Sequence, residues 1–143
     1  MKITEVIQTD FEALRTLFLE ERQRTFSWLD TSEFHLEDFD KQTQGEVILI
    51  AKINDTIVGF ISVWMPNNFI HHLYIDNQYQ GQNIGTELLK AVIQITQFPI
   101  TLKCLQNNKK AVAFYRRKGF IEKSKGESPN GTYILFELSK EIT

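Results

Sequence analysis

The hydrophobic positions along this chain change their period several times, which predicts alternating strands and helices. Apolar and polar residues alternate over residues 2–8, as in a β-strand. A helical spacing follows, with Thr9 and Glu12 at the spacing of a capping box. Its apolar face carries Phe11, Leu14, Leu17 and Phe18, and the face expected to meet water carries Glu12, Arg15, Glu20 and Glu21. A second, shorter helix is predicted around Phe34, Leu36 and Phe39.

Three strands and one long helix are predicted in the middle of the chain. Val and Ile are dense over residues 46–52 and 57–65, and Asn54-Asp55 between them marks a hairpin turn. Apolar residues on both faces of the first of these strands predict a sheet that is covered on both sides. A strand over residues 69–75 is followed by a helix whose buried positions are expected to be Ile84, Leu88, Val92 and Ile95.

The last third of the chain predicts a crossover connection and a final hairpin. Residues 100–105 form a strand that must run parallel to strand 69–75, because a helix lies between them. A helix over 109–118 is expected to end at Gly119 in a left-handed cap, and residues 120–125 and 132–138 pair as a hairpin. We therefore predict one domain, 1–143, of α/β class with a mixed sheet in the order β-α-α-β-β-β-α-β-α-β-β.

Composition narrows the classes of function. The 143 residues are 42% hydrophobic and 24% charged, which fits one globular domain. A net charge of −2 with scattered Lys and Arg gives little basis for nucleic-acid binding. No run of 18 apolar residues and no leader-like segment occurs, so we expect a cytoplasmic protein without a membrane partner. Cys104 is the only cysteine, which excludes a disulfide framework and predicts a buried, unreactive thiol.

The polar loop after strand 69–75 is the first candidate for chemistry. It contains Gln80-Gly81-Gln82-Asn83-Ile84-Gly85, in which the glycines and Asn83 can adopt the positive φ angles that other residues avoid. Such a loop leaves backbone N–H groups free at the start of a helix, where the helix dipole favours phosphate. Ordinary turn chemistry is the alternative interpretation of these glycines.

A second informative stretch runs from Asn108 to Phe120. Asn108 follows strand 100–105 and can cap the next helix. Tyr115 lies two helical turns further on, on the same face, where simple aromatic packing is the alternative to a chemical role. The cluster Lys109, Lys110, Arg116, Arg117 and Lys118 is interpreted as a solvated helix face, with a contact to a phosphate as the alternative.

Together the two stretches resemble the Gcn5-related N-acetyltransferase (GNAT) superfamily. The loop fits the pattern Arg/Gln-x-x-Gly-x-Gly/Ala, and the second stretch fits Asn-x-x-Ala-x-x-Phe-Tyr-x-x-x-Gly-Phe at every named position. The order of predicted elements is also similar over the whole chain. One departure is Asn83, where the family commonly has glycine, and asparagine is the next most tolerant residue for a left-handed conformation.

The resemblance implies an N-acetyltransferase that moves an acetyl group from acetyl-CoA to a primary amine, on a small molecule or a peptide, by direct attack in a ternary complex. In this family two central parallel strands splay apart, and the pantetheine arm pairs with the backbone of the fourth strand, here Leu73 and Ile75. The pyrophosphate would lie on the backbone amides of the loop, at Gln80, Gly81, Gln82, Asn83, Gly85 and Thr86. Asn108 would bond the pantetheine arm or place the thioester, and Tyr115 would protonate the departing thiolate.

The resemblance does not single out the general base or the residues of the acceptor pocket. His71 and His72 are the candidate bases on the fourth strand, with His71 preferred because it shares a face with Leu73 and Ile75. Since strand side chains alternate, we expect the two histidines to point to opposite faces, which argues against a shared zinc ion and predicts no metal. Structural histidines, or a water chain as the base, are the alternatives. Phe26, Trp28, Phe34 and the 127–133 hairpin are expected to form the acceptor pocket.

Two other functions compete with the enzyme. The first is a non-catalytic module of the same fold that senses acyl-CoA or binds a partner, and in either case we expect a monomer or a homodimer. Tyr115 favours the enzyme, because a binding module has no need of a phenol there. The second is a nucleotide-binding regulator, which is disfavoured because the loop lacks a Walker lysine and no acid follows at dinucleotide spacing.

Overall fold

The structure, a computed structural model that describes residues 1–142, contains seven strands and four α-helices in the predicted order. The strands are β1 (Lys2–Glu5), β2 (Val47–Ile53), β3 (Thr56–Trp64), β4 (Phe69–Ile75), β5 (Ile100–Leu105), β6 (Ile121–Ser128) and β7 (Gly131–Leu138). The helices are α1 (Phe11–Thr25), α2 (Asp38–Gln42), α3 (Ile84–Ile95) and α4 (Lys109–Arg117). Gly119 follows α4 with a φ of 98°, which confirms the predicted left-handed cap.

The strands form one mixed sheet in the order β1-β2-β3-β4-β5-β7-β6. Only β4 and β5 run parallel, which confirms the predicted crossover. Their pairing is short, because it joins only Phe69 with Thr101 and Ile70 with Leu102. Beyond Ile70 the two strands are no longer paired, so a gap opens in the middle of the sheet.

The backbone of β4 faces this gap at alternate residues. The N–H of Asp76 donates to the carbonyl of Val58 at 2.8 Å, on the β3 side. Because hydrogen-bonding groups alternate sides along an antiparallel pair, Leu73 and Ile75 direct their N–H and C=O groups away from β3. Those groups therefore point into the gap.

Helices cover both faces of the sheet, as the apolar pattern predicts. On one face α3 and α4 pack through Leu88, Val92 and Tyr115. On the other face α1 and α2 contribute Phe18 and Phe39, whose rings meet edge to face at 5.8 Å. None of the helices formed by residues 1–142 combines the length and the apolar character that a membrane crossing requires.

Two burial predictions are wrong. Ile95 is 41% exposed, because the inward face of α3 is already filled one turn earlier and Ile95 is the last residue of the helix. Glu21, which was expected to face water, is buried together with Arg22. The guanidinium of Arg22 lies between the rings of Phe18 and Phe34, at 4.0 and 4.4 Å from their centroids.

A β-bulge in β4 overturns the expectation for the two histidines. The register passes from Ser62 opposite His72 to Val63 opposite Ile70, so His71 is an extra residue in β4. A bulge interrupts the alternation of side chains. The rings of His71 and His72 consequently lie with their centroids 3.9 Å apart rather than on opposite faces. The prediction that the two histidines point to opposite faces is therefore wrong. The argument against a shared metal ion rested on that prediction and is wrong as well.

Candidate active site

A cavity of about 670 Å³ occupies the gap between β4 and β5. This volume is in the range of small-molecule and cofactor sites. Several residues that the sequence analysis singles out line it: Trp28, Leu73, Ile75, Gln80, Gly81, Gly85, Asn108 and Tyr115. The crossover from β4 through α3 to β5 brings the two motifs together, because both follow the carboxyl ends of the parallel strands.

The loop from Gln80 to Thr86 presents a row of free backbone donors. Within residues 1–142, none of its N–H groups donates to a protein acceptor, and the first bond of α3 runs from Glu87 to Asn83 at 3.1 Å. Gly81 has a φ of 81° and Asn83 a φ of 66°, so both adopt the left-handed conformation expected for them. Unpaired amides at the positive end of a helix dipole bind anions.

Cations from the end of α4 lie beside this loop. A second cavity of about 380 Å³ adjoins the first and is bounded by the loop and by Arg117 and Lys118 from the end of α4. Gly85 faces α4, since a Cβ at that position would make ordinary contact with the ring of Phe114 at 3.4 Å. The sequence analysis interpreted these cations as a solvated face, with a contact to a phosphate as the alternative, and in the structure two of them lie beside the free amides.

Asn108 and Tyr115 both line the cavity, and both also stabilise the structure around it. The Oδ1 atom of Asn108 accepts from the N–H of Ala111 at 3.3 Å and so caps α4. Tyr115 packs against the rings of Phe114, Phe120 and Phe136 at 5.3 to 6.1 Å. Burial, with smaller effects of Cys104 and Tyr74, raises the pKa of the Tyr115 phenol strongly, so its hydroxyl is protonated at neutral pH.

Cys104 and Tyr74, the two groups that act on the Tyr115 phenol, are uncharged at neutral pH. Burial raises the pKa of the Cys104 thiol to about 11, and Cys104 is buried as predicted. Burial likewise raises the pKa of Tyr74. Its ring centroid lies 5.5 Å from that of Phe18, and Tyr74 also lines the cavity. At neutral pH all three groups are therefore in their neutral forms.

Glu21 is a cavity residue that the sequence analysis misses. Its side chain is 6% exposed, and its Oε2 atom accepts from the N–H of Asn77 at 3.1 Å and from the guanidinium of Arg24. Burial raises the pKa of Glu21, while both hydrogen bonds act in the opposite direction. A signal was present, because Glu21 lies seven residues after Leu14 and so falls on the apolar face of α1.

Five other predicted features lie outside the lining of this cavity as the described residues form it: His71, His72, Phe26, Phe34 and the 127–133 hairpin. His71 Nδ1 lies 2.7 Å from Glu46 Oε2, and Phe34 lies against Arg22. The 127–133 hairpin does not border the cavity either. His72 is packed against the ring of Phe18 at 4.9 Å. Burial first, then His71 and Arg22, lowers the pKa of His72 to about 3, so its ring is neutral.

Comparison with known proteins gives matches at the level of family and fold. A model of the acetyltransferase (GNAT) family matches residues 11–120. A curated protein of Methanocaldococcus jannaschii, described as an uncharacterised N-acetyltransferase, is 30% identical over 87 residues. That match covers 52% of this chain and only 38% of the relative, so the chain spans well under half of the relative's length.

Solved structures agree with this chain over nearly its whole length. A GCN5-related N-acetyltransferase of Rhodopseudomonas palustris has a TM-score of 0.80 and 20% identity, over 97% of this chain and 95% of that one. The PaiA N-acetyltransferase of Thermoplasma acidophilum, solved in complex with coenzyme A, has a TM-score of 0.78 and 20% identity, over 97% and 98%. At such identities the likeness establishes a shared fold.

Proposed function

Since this chain belongs to the acetyltransferase (GNAT) family, we propose that it transfers an acetyl group from acetyl-CoA to a primary amine by direct attack in a ternary complex. The observation that carries this proposal is the row of free N–H groups from Gln80 to Thr86 at the mouth of the gap between β4 and β5. An acyl-CoA needs an anion site for its pyrophosphate and an adjoining channel for its thioester arm. This arrangement offers both.

Binding of the donor would use backbone groups more than side chains. The pyrophosphate oxygens accept from the amides of the loop, and Arg117 and Lys118 offset their charge. The amides of the pantetheine arm pair with the backbone of Leu73 and Ile75 in place of a neighbouring strand. Asn108 keeps its Oδ1 atom on the α4 cap and has its side-chain N–H groups to donate to the arm.

The chemical step moves one acyl group and two protons. The amine nitrogen attacks the thioester carbonyl carbon, the C–N bond forms, and the C–S bond breaks. The departing thiolate takes a proton from the Tyr115 hydroxyl, which burial holds in its protonated form. General acid catalysis of this kind contributes a factor of about 10² to 10⁴.

The acceptor amine would enter beside Glu21 and Trp28. A buried carboxylate attracts an ammonium group, and the face of an indole ring adds a cation–π contact. We favour Glu21 over His71 as the base, acting directly or through one water, because Glu21 borders the cavity and its pKa is raised. The acceptor class that suits these groups is a primary amine that is cationic in solution.

The test is a panel of amines with acetyl-CoA, read out by release of free thiol. The panel contains alkyl amines, diamines, amino acids and a peptide with a free amino terminus. Turnover with at least one of these amines is expected. Tight binding of acetyl-CoA with no turnover anywhere would favour the non-catalytic sensor instead.

The role of Tyr115 has its own test. Tyr115→Phe should reduce turnover about 10² to 10⁴-fold and leave the Kd for acetyl-CoA nearly unchanged, since only the hydroxyl is lost. Tyr133→Phe, in β7 outside the cavity, is the matched control and should keep full activity. Full activity in Tyr115→Phe would remove this residue from the mechanism.

A further inference from the structure

A second cluster of chemically capable side chains lies outside the cavity, at the bulge of β4. We propose that Glu46, His71 and His72 form a binding site for one divalent transition-metal ion, with Zn²⁺ as the ion that suits the donors best. The proposal does not depend on acetyl transfer, because none of these residues borders the cavity described for it.

The donor set and its geometry fit such an ion. One ligand atom from each residue lies within 4.8 Å of the other two. Two imidazole nitrogens and one carboxylate oxygen are the protein ligands of an open tetrahedral zinc site, with the fourth position left for water. Ligand atoms about 2.1 Å from a shared ion lie roughly 3.4 Å apart, so the widest pair has to close by at most about 1.4 Å. His71 can supply that adjustment, because its side chain is 40% exposed and the atom that it contacts, Glu46 Oε2, belongs to the same site.

Orphaned polar atoms at this place are an independent reason to expect a ligand. Two of the three buried side-chain atoms without a hydrogen-bond partner within residues 1–142 are Glu46 Oε1 and His72 Nε2. The third is Ser62 Oγ, and Ser62 lies directly opposite His72 in the sheet. The Glu46 side chain is only 6% exposed, so water does not satisfy it from the surface. Leaving such atoms unpaired destabilises the folded state, and an ion bound by Glu46 and His72 would remove much of that penalty.

The fold builds this cluster from two segments that are distant in sequence. Glu46 immediately precedes β2, and the bulge adds His71 to β4 so that both histidine rings stay together. Arg22 acts electrostatically on His72, and the charge of Arg22 is balanced by Asp38 at 3.0 Å. The exposed edge of His71 provides a path for the ion to enter.

The experiment uses untagged, full-length protein that has been stripped of metal with a chelator. Zn²⁺ is titrated by calorimetry, and the bound metal is counted by elemental analysis after gel filtration. One equivalent of bound Zn²⁺ and a rise in Tm are expected. His72→Asn and Glu46→Gln should each weaken binding by at least the 10- to 100-fold that loss of a supporting residue typically costs.

Two controls use the remaining residues of the same types. His35→Asn removes the only other histidine, which is exposed. Cys104→Ser removes the only thiol. Neither variant should alter Zn²⁺ binding. If a buried variant fails to fold, as judged by circular dichroism, the exposed His71→Asn replaces it. The proposal is overturned if the wild-type protein retains no Zn²⁺, which is the result expected if a buried water fills the site. It is also overturned if His71→Asn binds Zn²⁺ as tightly as the wild-type protein does.

Discussion

Replacing Gly81 by alanine separates the strain of the loop from its proposed role in phosphate binding. Gly81 has a φ of 81°, and a Cβ built there would meet nothing within 4 Å. The alanine therefore causes no clash inside the protein, and the destabilising part of its effect on folding comes from the left-handed backbone. Gly131 is a matched position in the β6–β7 turn, because its φ is 123° and a Cβ there also meets nothing.

The expected loss of stability follows from the cost of a left-handed backbone. A left-handed conformation costs an L-residue about 1–2 kcal/mol. The loss of unfolded-state entropy on changing glycine to alanine offsets about 0.4–1 kcal/mol of this, which leaves a net loss of about 1 kcal/mol for Gly81→Ala. Gly131→Ala should lose more, because a φ of 123° lies outside the left-handed helical region that alanine can adopt. If the free loop relaxes and acetyl-CoA must restore it, the strain of about 1–2 kcal/mol appears in binding as a roughly 5- to 30-fold higher Kd.

Two measurements on each variant decide the matter: urea unfolding for the free energy of folding, and calorimetric titration with coenzyme A for the Kd. We expect Gly131→Ala to lose stability and to keep its affinity. In Gly81→Ala the strain is divided between the two measurements, because a free loop that relaxes restores stability and transfers the cost to binding. Wild-type affinity in a Gly81→Ala variant that also keeps wild-type stability would refute the assignment of the loop to phosphate. Equal losses of affinity in both variants would show that the effect comes from general stability.

Two further predictions concern the buried acid and the buried thiol. Glu21→Gln should raise the KM for the amine more than the Kd for acetyl-CoA, whereas Glu20→Gln, at the exposed neighbouring position, should change neither in the same steady-state assay. Because burial raises the pKa of Cys104 from 9.0 to about 11, its thiolate at pH 8 is roughly 100-fold scarcer than in the unfolded chain, so iodoacetamide should alkylate native protein at least that much more slowly than urea-unfolded protein. The folded pKa is the higher one, so this thiol's contribution to stability is present below pH 9.0 and declines as the pH rises towards about 11. Equal alkylation rates in the two states would contradict the burial of Cys104.

Much of the fold could be predicted from local patterns. The period of the apolar residues gives the order of strands and helices, and the bounds of β4 and β5 agree with the prediction residue by residue. The parallel pairing of these two strands follows from the intervening helix alone. The free amides of the Gln80–Thr86 loop follow from the glycines and from Asn83, which adopts the predicted left-handed conformation.

The sites that depend on distant partners could not be predicted in this way. Glu21 was assigned to the water-facing side of α1, although its spacing from Leu14 places it on the apolar face. Its contacts with Asn77, Arg24 and the cavity wall are what allow a charged residue to be buried there. Phe34 was expected in the acceptor pocket, whereas in the structure it stacks on Arg22. Each of these outcomes depends on which helix face packs against which neighbour.

The two histidines show most clearly which features the sequence determines and which depend on tertiary structure. The sequence by itself determined that His71 and His72 lie on the strand before the glycine loop. Strict alternation would send them to opposite faces, and the tertiary structure instead joins their rings and sets Glu46 against His71. The physical reason is the bulge, which arises from the register between β3 and β4 and from the packing around it. Register is a property of two paired strands, so the pattern within one strand cannot specify it.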